Sequence, residues 1–173
     1  MSSAVAKFAK IDPKAVIPTY AEKGSVACDL YLLEKTVVYP GEVVLARTGI
    51  VAIPPIGYHW ELCLRSSTPV KNPLLLQANA LGLIDFSYVG PEDEIKIPLL
   101  NARTSSKGSA QHWRGMGEEL KDFDPKVVGA FVFEKGARIA QMILRENLVP
   151  AVEEISIEDL RNSSRGGFGS TGE

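Results

Sequence analysis

Proline is the residue that most restricts what this chain can become. Eleven prolines are spread from Pro13 to Pro150. Each lacks a backbone N–H and clashes with the preceding helical turn, so long helices are excluded from most of the first hundred residues. What remains between the prolines is short and β-rich. Thr36 to Tyr39 runs into Pro40-Gly41, and Val43 to Ala46 follows on the far side of that turn dipeptide. Gly49 to Ile53 is apolar and stops at Pro54-Pro55, while Tyr58 to Leu64 alternates loosely and stops at Arg65. Glu94 to Ile97, Ala130 to Phe133 and Ile139 to Leu144 complete the set. Many short strands separated by turn signals predict an all-β sandwich or barrel.

The chain has 173 residues, enough for a single domain with a substantial core. Its 45% hydrophobic and 23% charged fractions are those of a folded globular protein and argue against disorder, collagen-like repeats and coiled coil. A net charge of −2 gives no global attraction to nucleic acid or to an anionic membrane surface. Two cysteines, Cys28 and Cys63, make neither a disulfide framework nor a CxxC metal motif, so they are expected as buried thiols in a reducing compartment. Lys7, Lys10 and Asp12 interrupt the N-terminal stretch, which argues against secretion, and no apolar run is long enough to span a membrane. A cytoplasmic setting is therefore expected.

Four segments carry side chains suited to chemistry. The tail Arg165-Gly166-Gly167-Phe168-Gly169-Ser170-Thr171-Gly172 combines glycines that free backbone N–H groups for anionic oxygens with two hydroxyls, a guanidinium and a flat ring. Such compositions also occur as frayed termini. Arg65-Ser66-Ser67-Thr68, ahead of Pro69, offers a guanidinium and three hydroxyls for phosphate oxygens, or is an ordinary Ser/Thr turn. In Asn79 to Gly90, Asp85 ends an apolar run with Tyr88 three residues on; it is either a water-activating base beside a ligand platform or a turn cap. Gly136 to Gln141 brings Arg138 and Gln141 to a strand entry, either as ligand contacts or as a strand-edge salt bridge and a surface amide. His59 and His112 lie far apart and suggest no zinc site. There is no GxxxxGK[ST] phosphate loop.

In chain order these segments resemble the five motifs of the trimeric deoxyuridine triphosphatases (dUTPases). The first resembles Ala27-Cys28-Asp29-Leu30-Tyr31, the second Arg65-Ser66-Ser67, and the third Gly82-Leu83-Ile84-Asp85 with Tyr88 and Gly90. The fourth is similar to Gly136 through Gln141 and the fifth to Gly166 through Gly172, so nearly the whole chain is covered. The resemblance implies a distorted jelly-roll, β-barrel-like subunit in a single domain over residues 1–173. Within it, residues 102–126 would be a surface insert, with a helical turn around Glu118 to Phe123, and residues 162–173 a mobile C-terminal arm. It implies a homotrimer with shared active sites and hydrolysis of dUTP to dUMP and pyrophosphate. Magnesium would be held through substrate phosphates and water, with no direct protein ligand. By motif position Asp85 is the expected catalytic carboxylate, aiming water at the α-phosphorus. Asn79, Gly82, Leu83 and Ile84 would read uracil, with Lys96 adding a contact to the base. Tyr88 would pack under the deoxyribose. Arg65, Ser66, Ser67 and Gln141 would hold the phosphates. Arg165, with Arg161 in reserve, would reach the γ-phosphate, and Phe168, Gly169 and Ser170 would close over the base in a neighbouring subunit.

The sequence also departs from that pattern. Val89 and Pro91 flank Gly90 where the family usually carries polar residues, and Ala137 replaces a usual acid. Asp85 and Arg138 are 53 positions apart, about twice the family's common spacing, as in phage-type members with an insert. Two rival readings follow. A dCTP deaminase shares the fold, but its glutamate slot falls on Pro98 here. A nucleotide-sensing regulatory binder would use residues 102–126 to dock a protein partner.

Overall fold

The computed structural model describes residues 5–104 and 129–160. Twelve strands are present among them, all paired antiparallel, with two short helical pieces. The largest sheet has the order β2(Thr19–Tyr20)-β3(Ala27–Leu30)-β12(Ala140–Glu146)-β7(Tyr58–Leu64)-β9(Gly82–Ile84). A second sheet runs β5(Val43–Arg47)-β10(Lys96–Asn101)-β8(Leu75–Gln77). Two pairs complete the set: β1(Lys7–Lys10) with β6(Ile50–Ile53), and β4(Thr36–Val38) with β11(Phe131–Phe133). No helix among the described residues is long and apolar enough to cross a membrane.

Strand periodicity decides which side chains make the core. In β10 Ile97, Leu99 and Asn101 are buried while Lys96, Pro98 and Leu100 face the other way. In β7 Trp60 and Leu62 point inward, and in β12 Ala140 and Met142 do. These meet Leu30, Ile50, Ile84 and Ile95 in one apolar cluster drawing on all the sheets. Phe8 of β1 lies against Trp60 with ring centroids 5.6 Å apart. Asn101 is the buried polar exception, and it is satisfied. Its Nδ2 donates to Val38 O at 3.0 Å and to Gly129 O at 2.8 Å, and its Oδ1 accepts from Arg103 N at 3.1 Å. Those bonds pin the chain on both sides of residues 105–128, and Arg103 covers the Phe131 ring at 4.1 Å.

Three expectations about elements change. The Pro40-Gly41 turn forms, with Glu42 N donating to Tyr39 O at 3.0 Å, but the flanking strands β4 and β5 enter different sheets. The strand anticipated at Glu94 to Ile97 starts at Lys96 and continues through Pro98 to Asn101. Proline is tolerated there because β8 has ended and the Pro98 carbonyl still accepts Ala78 N–H at 2.9 Å. The Arg65 to Thr68 turn opens a short helix, α1(Ser67–Lys71). Pro69 lies in its first turn, where N–H groups have no intrahelical partner to lose. The helical turn expected around Glu118 to Phe123 lies outside the described residues.

Candidate active site

The β8–β9 connection builds one half of the site. Ala80 adopts a left-handed φ of 58°, Ala80 N donates to Gln77 O at 3.1 Å, and Leu81 N reaches Asn79 O at 2.6 Å. The chain then enters β9, where Gly82 sits opposite Leu62 of β7. A Cβ at position 82 would lie 3.0 Å from the Leu62 Cβ, tighter than most such contacts, so glycine eases this close approach. Above the pairing lies a cleft of about 330 Å³, lined by Asn79, Gly82, Leu83, Ile84, Tyr88 and Lys96 over apolar Leu45, Leu62 and Ile95. Its size and its few polar groups on an apolar floor are those of a small-ligand pocket. The structure therefore brings all six expected base- and sugar-binding residues together.

Tyr88 is a fixed wall of this cleft. Its hydroxyl donates to Glu94 O at 3.2 Å, and its N–H reaches Asp85 O at 3.3 Å. The buried Glu94 carboxylate is itself held by Arg47 Nε, at 3.0 and 3.2 Å, and by Gly49 N at 2.8 Å. Burial, helped by Asp93 and Glu94, raises the Tyr88 pKa, so the phenol keeps its proton and remains a donor. Gly90 N bonds Asp93 Oδ2 at 2.7 Å and closes the turn behind it.

Asp85 follows β9 directly and is exposed. Its Oδ1 accepts from Ser87 Oγ at 2.5 Å and Ser87 N at 2.8 Å. It does therefore cap a turn, as an isolated Asp commonly does. That bonding also immobilises the carboxyl while Oδ2 stays open to water. The Ser87 hydroxyl first, then the Ser87 N–H, hold its pKa below the ordinary carboxylate value, and nearby His59 adds in the same direction. The group is thus ionised at neutral pH and presents an aimed hydrogen-bond acceptor.

The residues expected to hold phosphate form a second cluster. Asp29 of β3 is 4% exposed, and its two oxygens are each claimed by a guanidinium: Oδ1 by Arg65 Nε at 2.9 Å and Oδ2 by Arg138 Nη1 at 3.2 Å. Arg65 Nη1 also donates to Arg138 O at 3.3 Å. Two guanidiniums against one carboxylate leave one positive charge, and both arginine side chains stay partly exposed. Gln141 of β12 is opposite both Asp29 and Cys63, and its Nε2 makes a weak contact to Cys63 Sγ at 3.7 Å. Ser66 makes no side-chain capping bond at the start of α1, so its hydroxyl is not consumed by the helix. Sequence reasoning placed Asp29 in a motif without giving it a role. The two arginines around it, one in each of two other motifs, were the available signal. Arg138 is the strand-edge salt bridge that was weighed for it, with Arg65 sharing the same carboxylate.

These two halves do not meet within one chain. Ile84 lies opposite Trp60, so Asp85 falls opposite His59, and Arg65 is six positions further along β7. At a strand's rise per residue that is roughly 20 Å, more than a triphosphate spans. Arg161, Arg165, Phe168, Gly169 and Ser170 lie outside the described residues.

A deoxyuridine 5′-triphosphate nucleotidohydrolase of Helicobacter pylori strain J99 is 34% identical to this chain over 168 residues, covering 96% of this chain and 95% of its own. The chain belongs to the dUTPase family. No protein-family model matches it. Among solved structures, the Staphylococcus bacteriophage 80alpha dUTPase with dUPNHPP superposes with a TM-score of 0.74 at 25% identity, covering 97% of this chain and 98% of that one. A mutant dUTPase from phage phi11 of S. aureus, known for its coordinated structural Mg(II) ion, superposes at 0.70 with 19% identity, over 89% of this chain and 99% of that one. The all-β, jelly-roll-like fold expected from the motifs is the observed fold class.

Proposed function

We propose that this dUTPase-family chain hydrolyses dUTP to dUMP and pyrophosphate, with Asp85 aiming the attacking water at the α-phosphorus. The observation that carries the reading is a restrained, ionised, exposed carboxylate on the residue directly after Ile84, which lines a nucleoside-sized cleft. Uracil lies against Asn79 and the Gly82–Ile84 backbone, near Lys96, and the deoxyribose packs on Tyr88, whose ring leaves no room for a 2′-hydroxyl. Asp85 accepts a proton from water held in line with the leaving pyrophosphate. Arg65, Ser66, Ser67 and Gln141 take the phosphate chain, and Asp29 keeps Arg65 in place.

The separation of Asp85 from Arg65 supports a homotrimer in which one subunit supplies the base pocket and another the phosphate row. The outward face of β5-β10-β8 supports it too, because Val43, Leu45 and Leu76 leave about half of their surfaces uncovered there. An apolar strip of that kind is the natural seat of a second copy. The arm carrying Arg165, Phe168, Gly169 and Ser170 closes over the neighbour's cleft and excludes water. The single-domain organisation, the 102–126 insert and the cytoplasmic setting belong to the same proposal.

Among the described residues no three His, Cys, Asp or Glu side chains are grouped to hold a metal ion. A magnesium ion here would take its oxygens from the triphosphate and water, and would neutralise charge on the leaving group. The test is pyrophosphate release from dUTP, dTTP, dCTP and UTP, with and without magnesium. Release from dUTP alone, dependent on magnesium, is expected. Ammonia from dCTP without pyrophosphate release would refute the proposal.

A further inference from the structure

One carboxamide bonded to two cleft-lining residues, Leu62 and Asn79, has a role that the motif residues leave open. Gln77 ends β8, opposite Leu99 of β10, and its side chain turns toward the β8–β9 connection. Its Nε2 donates to Leu62 O at 2.9 Å and lies 3.0 Å from Asn79 Oδ1. The first bond fixes the second. A backbone carbonyl only accepts, so the Gln77 atom facing Leu62 must be the NH2 group. Its other N–H can then meet only an acceptor, so Asn79 must turn its oxygen toward Gln77. The Asn79 NH2 is left over Gly82, where a Cβ would come within 3.5 Å of Nδ2, on the cleft side. The Gln77 Oε1 is buried with no partner. The amide accepts that unfavourable arrangement in order to keep both N–H bonds.

We propose that Gln77 is a positioning residue that sets pyrimidine specificity by locking the polarity of the Asn79 amide. The proposal rests on Asn79 reading the base, as in the function above. An Asn79 donor facing the ligand suits the 4-carbonyl of uracil and opposes the 4-amino group of cytosine. An Asn79 free to flip would accept from cytosine as readily as it donates to uracil.

Two substitutions separate the lock from mere packing. Gln77→Met keeps length and apolar contact but frees Asn79. Gln77→Glu puts an acceptor where a donor stood and turns the Asn79 NH2 away from the ligand. Of the roughly 10⁴–10⁵ discrimination that a hydrogen-bonding site can supply, Gln77→Met is expected to lose about tenfold in the dUTP-to-dCTP ratio of kcat/KM, and Gln77→Glu about a hundredfold. Both changes should appear as a higher KM for dUTP and a lower KM for dCTP, with melting still cooperative. Calorimetric binding of dUMP against dCMP reads the same preference without turnover. An unmodified protein that prefers dUMP but releases no pyrophosphate from dUTP would therefore fail the catalytic reading alone. Should neither variant fold, exchange of the Gln77 side-chain amide protons in the unmodified protein decides: slow exchange of both supports the lock. Exchange as fast as in a free amide, folded variants with an unchanged dU-to-dC ratio, or an unmodified protein that binds dUMP no better than dCMP would each overturn it.

Discussion

Replacing Asp29 by Asn tests whether the phosphate row is held from behind. The carboxylate is almost wholly buried and each oxygen receives one guanidinium, so neutralising it weakens two charge-assisted bonds at once. The Arg65 bond, at 2.9 Å with the arginine mostly covered, falls in the range of about 1.5–3 kcal/mol for a hydrogen bond to a charged group. Arg138 is more exposed, at 45% against 29%, so its share is closer to the surface-pair range of about 0–1 kcal/mol. Asn keeps one acceptor oxygen, and removing a buried charge recovers some desolvation, so the net loss is about 2 kcal/mol. For a chain of this length that corresponds to a melting temperature lower by roughly 4–8 °C. The released Arg65 no longer holds its guanidinium in one orientation, so the KM for dUTP should rise about tenfold, equivalent to about 1.4 kcal/mol, while kcat changes less. Calorimetry and steady-state pyrophosphate release measure the two effects separately. A variant melting within a degree of the parent with an unchanged KM would show that Asp29 positions nothing.

Other expectations are more direct. Asp85→Asn should cut turnover by about 10²–10⁴, the range for losing a positioned base, while dUMP binding is largely kept. Ser87→Ala removes the main cause of the depressed Asp85 pKa, which then rises toward the ordinary carboxylate value. The ionised form is lost as pH falls through that pKa, so the acid limb of the rate profile should move to higher pH; an unmoved limb would exclude Asp85 as its source. Truncation before Arg165 should abolish turnover and leave the proposed trimer intact by light scattering; a truncated form with normal activity would show that the arm is not part of the site.

How far the sequence alone carried the reading differs by element, for physical reasons. Tyr58–Leu64 is visible to the residue because it is long, alternates, and ends at a charged residue. Ala27–Leu30 was not anticipated as a strand, because Cys28 and Leu30 face the core while Asp29 is buried on the opposite face by two arginines distant in sequence. At four residues such a strand is too short for its alternation to stand out from the surrounding sequence. Lys7–Lys10 failed similarly: its burial is slight, and its partner Ile50–Ile53 supplies the apolar content of the pair. Pro69 and Pro98 misled for a different reason. Proline forbids a bond only where an N–H would have been used, and at a helix's first turn or past the end of a neighbouring strand none is used.

The site divides along the same line. Asn79, Gly82, Leu83, Ile84 and Tyr88 were legible as a group because they lie within ten residues, and one tight connection delivers them to one cleft. The Arg65, Gln141 and Asp29 row depends on β3-β12-β7 pairing across more than a hundred positions, and only motif order pointed to it. Gln77 carried no signal at all: a glutamine at a strand end is ordinary, and its meaning appears only once Leu62 O stands beside it. The length of β7 adds the last step. Because Asp85 leaves β9 opposite His59, near the start of β7, and Arg65 leaves β7 at its other end, shortening the distance between Asp85 and Arg65 within one chain would require breaking the Trp60–Leu62 register that fills the core. Bringing in a second copy costs no core contact, and this is the physical argument for a site shared between subunits.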